Sequence, residues 1–379
     1  MASARCADAL LCLREVKMKN ILKFVGAVLL VAVFVVITLM AYLTIDEYKP
    51  ANVEQVEIIG NEGVGTETDK EYTFVTWNIG YGALGDNADF FMDGGKMVYT
   101  ADESRVRENL SGIARQVDAL SPDFLVMQEL DRNSSRSYFI DELERLKSEG
   151  EANVFKYQSC FAPNFKVSFV PLPVPPIGRV LAGETTYSSH EMTSAERVAL
   201  PCPFKWPLRT FNLKRCLLVT RFPVEGTSRE LVIINLHLEA YDSGEGKIAQ
   251  TNMLKELMNN EVAKGNYIIV AGDFNQTFSN IDISKYPVLE GKWEAGTINV
   301  EDFGSNFSFI YDDTYPTCRS LDQTLTDADD KSPEHFQYYM LDGCIVSDNV
   351  QVNNVETINT EFKCSDHNPV VMKFVLKSE

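Results

Sequence analysis

The chain has 379 residues, of which 45% are hydrophobic, 11% aromatic and 23% charged, and its formal net charge is −19. That balance excludes a disordered polymer and fits a folded globular protein. The acidity also argues against a surface that binds nucleic acid without specificity, though not against local contacts to phosphate.

The first predicted element is "FVGAVLLVAVFVVITLMAYLTI", residues 24–45, a run of 22 residues without a charge. As a helix it would be about 33 Å long, enough to cross a hydrocarbon core of about 30 Å. A secretory h-region is shorter, about 7–15 residues. No small-x-small cleavage pattern stands near the end of the run, and no Cys follows to take a lipid. An uncleaved, single-pass anchor in the cell membrane is therefore expected. Arg14, Lys17, Lys19 and Lys23 precede the span and an acidic stretch follows it. The positive-inside rule then puts residues 1–23 in the cytoplasm and everything beyond residue 45 outside the cell. "MKNILK" from Met18 has the form of a bacterial-style start, which makes residues 1–17 a candidate upstream extension.

Residues 46–70 are rich in acid, Gly and Thr and lack sustained periodicity, so they read as a stalk. Residues 71–379 remain as one domain, long enough for a single large core. The first 45 residues carry five basic and two acidic groups, which leaves about −22 on the rest. Six cysteines lie beyond the span: Cys160, Cys202, Cys216, Cys318, Cys344 and Cys364. Their number permits disulfides without fixing a pairing, and several sit in apolar runs that suit buried thiols equally well. No CxxC or Cys/His spacing fits zinc.

Within the domain, "EYTFVTWNIG" (71–80) reads as a strand ending at Asn78 and Gly80. "SRVRENLSGIARQVDAL" (104–120) places Val106, Leu110, Ile113, Val117 and Leu120 on one helical face, and "SPDFLVMQELD" (121–131) returns as a strand. "VPLPVPPIG" (170–178) reads as an extended surface loop. "CLLVTRFPVEGTSRELVIINLHLEAYD" (216–242) is two strands about a Gly/Ser turn. A helix over 246–266, with Ile248, Leu254, Leu257, Met258 and Val262 inward, leads into the strand "YIIVAGDFN". Further strands are expected at 338–347, 350–358 and 369–376. Crossovers and hairpins both occur, which implies mixed sheets in an α/β protein.

One form recurs. Apolar strands stop at polar groups at Asn78, Gln128–Glu129, Asn235–His237, Asp273–Asn275 and Asp342, and "SDHNP" adds Asp366–His367 at the start of a strand. A single instance is more often a turn, because Asp, Asn and Gly are what turns demand. Repetition at strand ends, which converge in space, points instead to a shared site.

In "WNIG", "QELD", "NLHLEAYD", "GDFN", "MLDGCIVS" and "SDHNPV", taken in that order over residues 73–376, the chain resembles the endonuclease/exonuclease/phosphatase superfamily. That superfamily of metal-dependent phosphoesterases includes deoxyribonuclease I-like enzymes, abasic-site endonucleases, neutral sphingomyelinases and inositol-polyphosphate 5-phosphatases. The resemblance implies a four-layer sandwich, two packed mixed β-sheets flanked by helices, with the active site at one end. It also implies Mg²⁺, with Mn²⁺ as a substitute, held by Glu129 with Asn78 and Asp366 in or near the same shell. Hard oxygen ligands suit that ion, which takes few protein carboxylates. On the same resemblance, Asp273 orients or deprotonates the attacking water, and Asn275 hydrogen-bonds the phosphoryl group. His367 contacts the scissile phosphate with Asp342 fixing its tautomer.

His237 in "NLH" resembles deoxyribonuclease I-like and sphingomyelinase-like members more than abasic-site endonucleases, and stands as general acid or phosphate contact. A Tyr or Arg of the middle segment often lies near the phosphate in the family. Arg209 and Arg215 are the choices here, and Arg215 is favoured because it enters a strand. The polar "GETTYSSHEMTSAERVALP" (183–201) departs from the family's usual short strand and turn and leaves specificity open there. Asp131 reads as a surface-loop residue, with support of the site as the alternative. "NQT" from Asn275 matches a glycosylation sequon that a catalytic Asn would leave unused. A phosphodiester, in nucleic acid or a lipid headgroup, is the expected substrate. The alternatives are a phosphomonoesterase on a phosphorylated lipid or sugar, and a non-catalytic binding domain. Membrane contact is expected through residues 24–45, and no feature calls for an obligate protein partner.

Overall fold

The computed structural model describes the backbone of residues 2–242 and 244–378, and the side chains of that range from Lys17 onward. Helix α1 (Ala2–Asp46) precedes strands β1 (Val53–Gln55), β2 (Ile58–Ile59) and β3 (Glu71–Asn78). Helix α2 (Glu103–Leu120), β4 (Phe124–Asp131), α3 (Glu142–Glu149) and α4 (Asn153–Lys156) follow, then β5 (Gln158–Val170), β6 (Gly178–Ser188) and β7 (Ser194–Ala199). Next come β8 (Cys216–Pro223), β9 (Glu230–His237), α5 (Glu245–Ala263) and β10 (Tyr267–Asp273). Short strands β11 (Gln276–Phe278), β12 (Gly296–Ile298), β13 (Phe307–Ile310), β14 (Cys318–Arg319) and β15 (Tyr338–Tyr339) lead to β16 (Asp342–Ser347), β17 (Val350–Thr357) and β18 (Val370–Leu376).

Two seven-stranded mixed sheets carry the fold, in the orders β17-β18-β3-β4-β6-β5-β2 and β1-β7-β8-β9-β10-β16-β13. The strands read as continuous apolar runs because both of their faces are buried. Phe74, Phe124 and Val126 alternate inward to meet Leu218, Phe222, Ile233 and Ile269 of the other sheet. Their neighbours Val75, Leu125 and Met127 point outward under Val106, Leu110, Ile113 and Val117 of α2. On the far side Val232, Ile234, Ile268 and Val270 pack against Leu254 and Met258 of α5. These are the four layers the sequence predicts.

Each sheet holds one parallel pair made by a helical crossover, β3 with β4 through α2 and β9 with β10 through α5. Parallel strands end on the same side. Asn78 therefore lies level with Gln128 in one sheet, and His237 level with Asp273 in the other, where Asp342 faces Asp273 across the antiparallel β10–β16 pair. Helix α2 starts where Asp102 accepts from the Arg105 amide at 2.8 Å, a side-chain cap.

Several expectations are corrected. Residues 46–70 are not a free stalk: β1 pairs with β7 and β2 with β5, so each sheet takes its edge strand from this segment. Strands of two or three residues are too short to show a period. Ile248 is exposed, because Gly246, Lys247 and Gln250 turn inward in the first part of α5 instead. The polar 183–201 segment is the end of β6 and all of β7, passing from one sheet to the other with Glu184, Thr185, Thr186 and Ser188 buried. The 170–178 loop is the tip of the β5–β6 hairpin, whose strands the sequence reading did not identify. All six cysteines after the span are free thiols, four of them buried.

The apolar part of α1, Lys17–Asp46, is long and apolar enough to cross a membrane and buries none of its apolar window in the protein. Its last turn does touch the domain. Leu43 is buried, and Trp206 Nε1 donates to Thr44 Oγ1 at 3.1 Å.

Candidate active site

The predicted residues meet at one end of the sandwich, where Glu129, Arg215, His237, Asp273, Asn275, Asp366 and His367 line a cleft of about 580 Å³ and Asn78 and Asp342 are bonded behind them. Local backbone sets each one. A bulge shifts the β4 register between Met127 and Leu130, so Gln128 turns between the sheets to Asn235 (2.7 Å) while Glu129, at φ 54°, faces the cleft. Asn275 also holds a left-handed φ of 48°, and Tyr81 one of 41°. Non-glycine residues take this region rarely, and it costs energy that the surrounding structure must supply. Gly272 allows the approach of β9 that precedes Asp273. A Cβ there would lie 1.9 Å from the Leu236 carbonyl oxygen, and its φ is 146°.

Asp273 is the hub. Its Oδ1 accepts from the Asn275 amide at 2.8 Å, and its Oδ2 accepts from Asn78 Nδ2 at 3.1 Å. The same Oδ2 lies 3.4 Å from His237 Nε2 and 3.7 Å from His367 Nε2. Asn78 Nδ2 also reaches Glu129 Oε1 at 3.2 Å, and its Oδ1 accepts from the Gly80 amide. His367 Nδ1 is bound to Asp342 Oδ2 at 2.8 Å. Ser365 Oγ donates to the Asn78 carbonyl (2.7 Å) and accepts from the His367 amide (3.1 Å), while Trp77 Nε1 donates to the His367 carbonyl. "SDHNP" thus bolts the start of β18 to the end of β3.

Burial raises the Asp273 carboxyl to about 6, and Asp342 adds to the rise while His367 opposes it. Burial likewise lifts Asp366 to about 7, with Glu129 adding to it. For His367 burial opposes the charged ring, but Asp342, by charge and hydrogen bond, together with Cys318 and Asp273 holds the ring well above its ordinary value. His237 goes the other way. Burial lowers it first, and Arg215 and His367 lower it further. Its Nδ1 is buried without a hydrogen-bond partner among the described residues, 3.9 Å from Glu129 Oε1.

Arg215 lines the cleft as expected, but it is committed. Its Nε donates to Glu239 (3.3 Å) and its Nη1 to the His237 carbonyl (3.0 Å), so it frames His237. Arg209 lies elsewhere, paired with Glu47. Asp131 is fully buried rather than on a surface loop. It grips Arg136 at 3.0 Å, and Arg136 lies 3.6 Å from the Tyr81 ring centroid at the edge of the cleft. Sequence reasoning missed Arg136 and Tyr81. The signal was the Asp131–Arg136 spacing after a strand that already carried Glu129.

Glu129 and Asp366 offer carboxylate oxygens of the kind hard divalent cations take, while Asn78 turns its Nδ2 toward Glu129 and gives its Oδ1 to the Gly80 amide. Asp366 is pushed up by burial beside Glu129, and a bound dication offsets that charge crowding. The residues fit a metal. Two tighter groups, Asp273–Asp342–His367 and Cys318–Asp366–His367, bring their ligand atoms within 4.8 Å, but His367 Nδ1 is already bound to Asp342.

A two-sheet sandwich with buried carboxylates, an asparagine pair and two histidines on its strand ends is the architecture of a metal-dependent phosphoester hydrolase. The Endonuclease/Exonuclease/phosphatase family profile matches residues 75–367, and the chain belongs to that family. Among solved structures it is similar to the endonuclease/exonuclease/phosphatase from Beutenbergia cavernae DSM 12333, with a TM-score of 0.54 and 20% identity over 82% of this chain and 72% of that one. The human Nocturnin catalytic domain with bound sulfate anion gives a TM-score of 0.49 and 18% identity, over 85% and 97% of the two chains. D. rerio TDP2 complexed with single strand DNA product gives 0.48 and 14%, over 81% and 99%. No curated protein matches the sequence.

Proposed function

We propose that this chain is a membrane-anchored phosphodiesterase that works with Mg²⁺, or Mn²⁺ in its place, on the outer face of the cell membrane. The observation that carries the reading is the single oxygen Asp273 Oδ2, set 3.1 Å from Asn78, 3.4 Å from His237 and 3.7 Å from His367. A turn needs no such convergence.

Glu129 and Asp366, with Asn78 donating to Glu129, would hold the metal, which when bound neutralises charge on the phosphoryl oxygens. Asp273 takes the proton of the attacking water, and two amide donors hold its carboxylate in place. His367, oriented by Asp342, points Nε2 at the space where the phosphoryl group sits and donates to it. Asn275 uses one amide hydrogen on the Leu238 carbonyl (2.9 Å) and keeps the second for a phosphoryl oxygen. His237 assists the leaving oxygen or contacts phosphate from the end of the neighbouring strand β9, with Arg215 holding its backbone.

The test is a substrate panel with the full chain: bis-p-nitrophenyl phosphate, p-nitrophenyl phosphate and a single-stranded oligonucleotide, each with Mg²⁺ and with EDTA. Diester hydrolysis that EDTA abolishes and Mg²⁺ restores is expected; metal-independent or monoester-only turnover would overturn the reading. For orientation, protease added to intact cells should release the domain, and full protection would contradict an outward-facing site.

A further inference from the structure

The cleft is not an isolated groove on the domain. Its wall is built from the same segments that receive the end of the membrane helix. Asp46 accepts from the Ser168 amide (3.0 Å) and hydroxyl (2.9 Å) on β5. Glu47 pairs with Arg209 at 3.3 Å and Lys214 at 3.4 Å, in the turn before β8. Trp206 of that turn lies in a groove with Val36, Ile37, Met40, Ala41 and Ile45 of α1. From residue 36 to residue 46 a helix advances about 15 Å. With residues 24–45 read as the span, the Trp206 turn lies against its outer half, toward the interface where tryptophan concentrates.

Around it the protein exposes apolar side chains that water would leave unpartnered. Val174 is 89% exposed at the hairpin tip, and Leu172 and Leu208 are also exposed. Their burial in a membrane is favourable, whereas a soluble surface rarely gathers them. Lys166, which lies over Tyr48, Lys205 beside Trp206, and Arg209 stand at this same edge of a domain that is otherwise strongly acidic. Inside the rim, Phe165, Val170, Leu172, Ile177, Phe211 and Leu213 continue as one wall of the cleft that holds Glu129, His237, Asp273 and His367. Leu172 belongs to both surfaces.

From this continuity we propose that the substrate is a phospholipid of the same bilayer. Its phosphodiester reaches Asp273 and the two histidines while its acyl portion stays against the apolar wall. This rests on the reading of the site as a phosphodiesterase. Water oxygen bonds to phosphorus, one ester P–O bond breaks, and the water proton ends on the leaving oxygen, giving a phosphomonoester and an alcohol. A nucleic acid is disfavoured here. Its backbone would meet an apolar wall on a strongly acidic domain, where affinity for polyanions normally comes from many cations.

The experiment uses the full chain reconstituted with Mg²⁺ in vesicles of equal parts phosphatidylcholine, phosphatidylethanolamine and phosphatidylglycerol. Lipid cleavage is read beside turnover of bis-p-nitrophenyl phosphate and a single-stranded oligonucleotide. Lipid is expected to be hydrolysed. The double variant Val174→Glu, Leu208→Glu, two rim residues outside the cleft, should lose lipid turnover by roughly tenfold or more with bis-p-nitrophenyl phosphate turnover unchanged. Brominated lipid should also quench Trp206, read as the signal lost in Trp206→Phe. Hydrolysis of bis-p-nitrophenyl phosphate or the oligonucleotide without lipid cleavage overturns the proposal and leaves the phosphodiesterase reading intact. Unaltered lipid turnover in the rim variant overturns it too. A folded protein that cleaves none of the three substrates overturns the phosphodiesterase reading, and this proposal with it.

Discussion

Strand β10 has a buried polar cluster at each end, and the two are built in opposite ways. At its start, Glu261 accepts from Arg221 at 2.7 and 3.0 Å, from Lys264 at 2.8 Å and from Asn266 at 2.7 Å. Asn266 in turn accepts from the Glu230 amide, and Arg221 also reaches Glu230 at 2.9 Å. Charge is matched there. At the other end, Asp273, Asp342, Asp366 and Glu129 crowd around two histidines, and Asp342 Oδ1 and His237 Nδ1 have no hydrogen-bond partner among the described residues. Buried polar groups are normally satisfied, so a cluster left short of partners signals work other than holding the fold. One strand thus carries a structural network and a candidate reactive one seven residues apart.

The contrast is sharpened by mutations that separate rate from stability. His367→Asn, whose amide can keep the donation to Asp342, should lower kcat by about 10²–10³-fold, as loss of a charge-stabilising donor does, with little loss of thermal stability. Steady-state kinetics beside a melting curve checks it, and a collapsed fold with normal rate per folded molecule would erase the distinction. Glu129→Gln should raise the metal concentration needed for half-maximal activity by about 10–100-fold or more, since even indirect metal partners contribute that much. A Mg²⁺ titration of turnover measures it.

At the opposite end the expected pattern reverses. Arg221→Met leaves the buried Glu261 without its main partner and should cost about 3–5 kcal/mol of stability in chemical unfolding, while turnover per folded molecule stays near normal. Acid stability gives the smallest effect. Burial alone would raise Glu261, but hydrogen bonds from Arg221, Lys264 and Asn266 hold it down to about 2, against 4.5 ordinarily. A depressed carboxyl contributes stability that is fully present above its unfolded value and lost as pH falls toward its folded one. Glu261→Gln should therefore flatten the loss of stability between pH 4.5 and about 2, read by unfolding at a series of pH values.

The reactive end was legible in the sequence and the satisfied end was not, for a physical reason. Asp273, Asn275, Asp366 and His367 follow or precede long apolar strands, so their polarity stands out against a background that is buried on both faces. Glu261 and Arg221 look like ordinary charges on a helix and a strand, because 40 residues of chain separate the two and only the fold brings them together. The β5–β6 hairpin was hidden for another reason. Pro163 and the prolines of 171–176 interrupt the strand pattern, and buried Glu184, Thr185 and Thr186 disguise a sheet interior as a polar loop. Asp131 was misplaced because its partner Arg136 makes burial tolerable only in three dimensions.

The most direct test of a reactive end on β10 is Asp273→Asn. The substitution keeps size and hydrogen-bonding capacity and removes the base, and Asn suits a turn as well as Asp does. Initial rates of Mg²⁺-dependent diester hydrolysis, measured with the unfolding midpoint of the same preparation, should fall by about 10²–10⁴-fold at unchanged stability. Near-normal turnover in the folded variant would contradict the assignment and reduce "VAGDFNQT" to a turn.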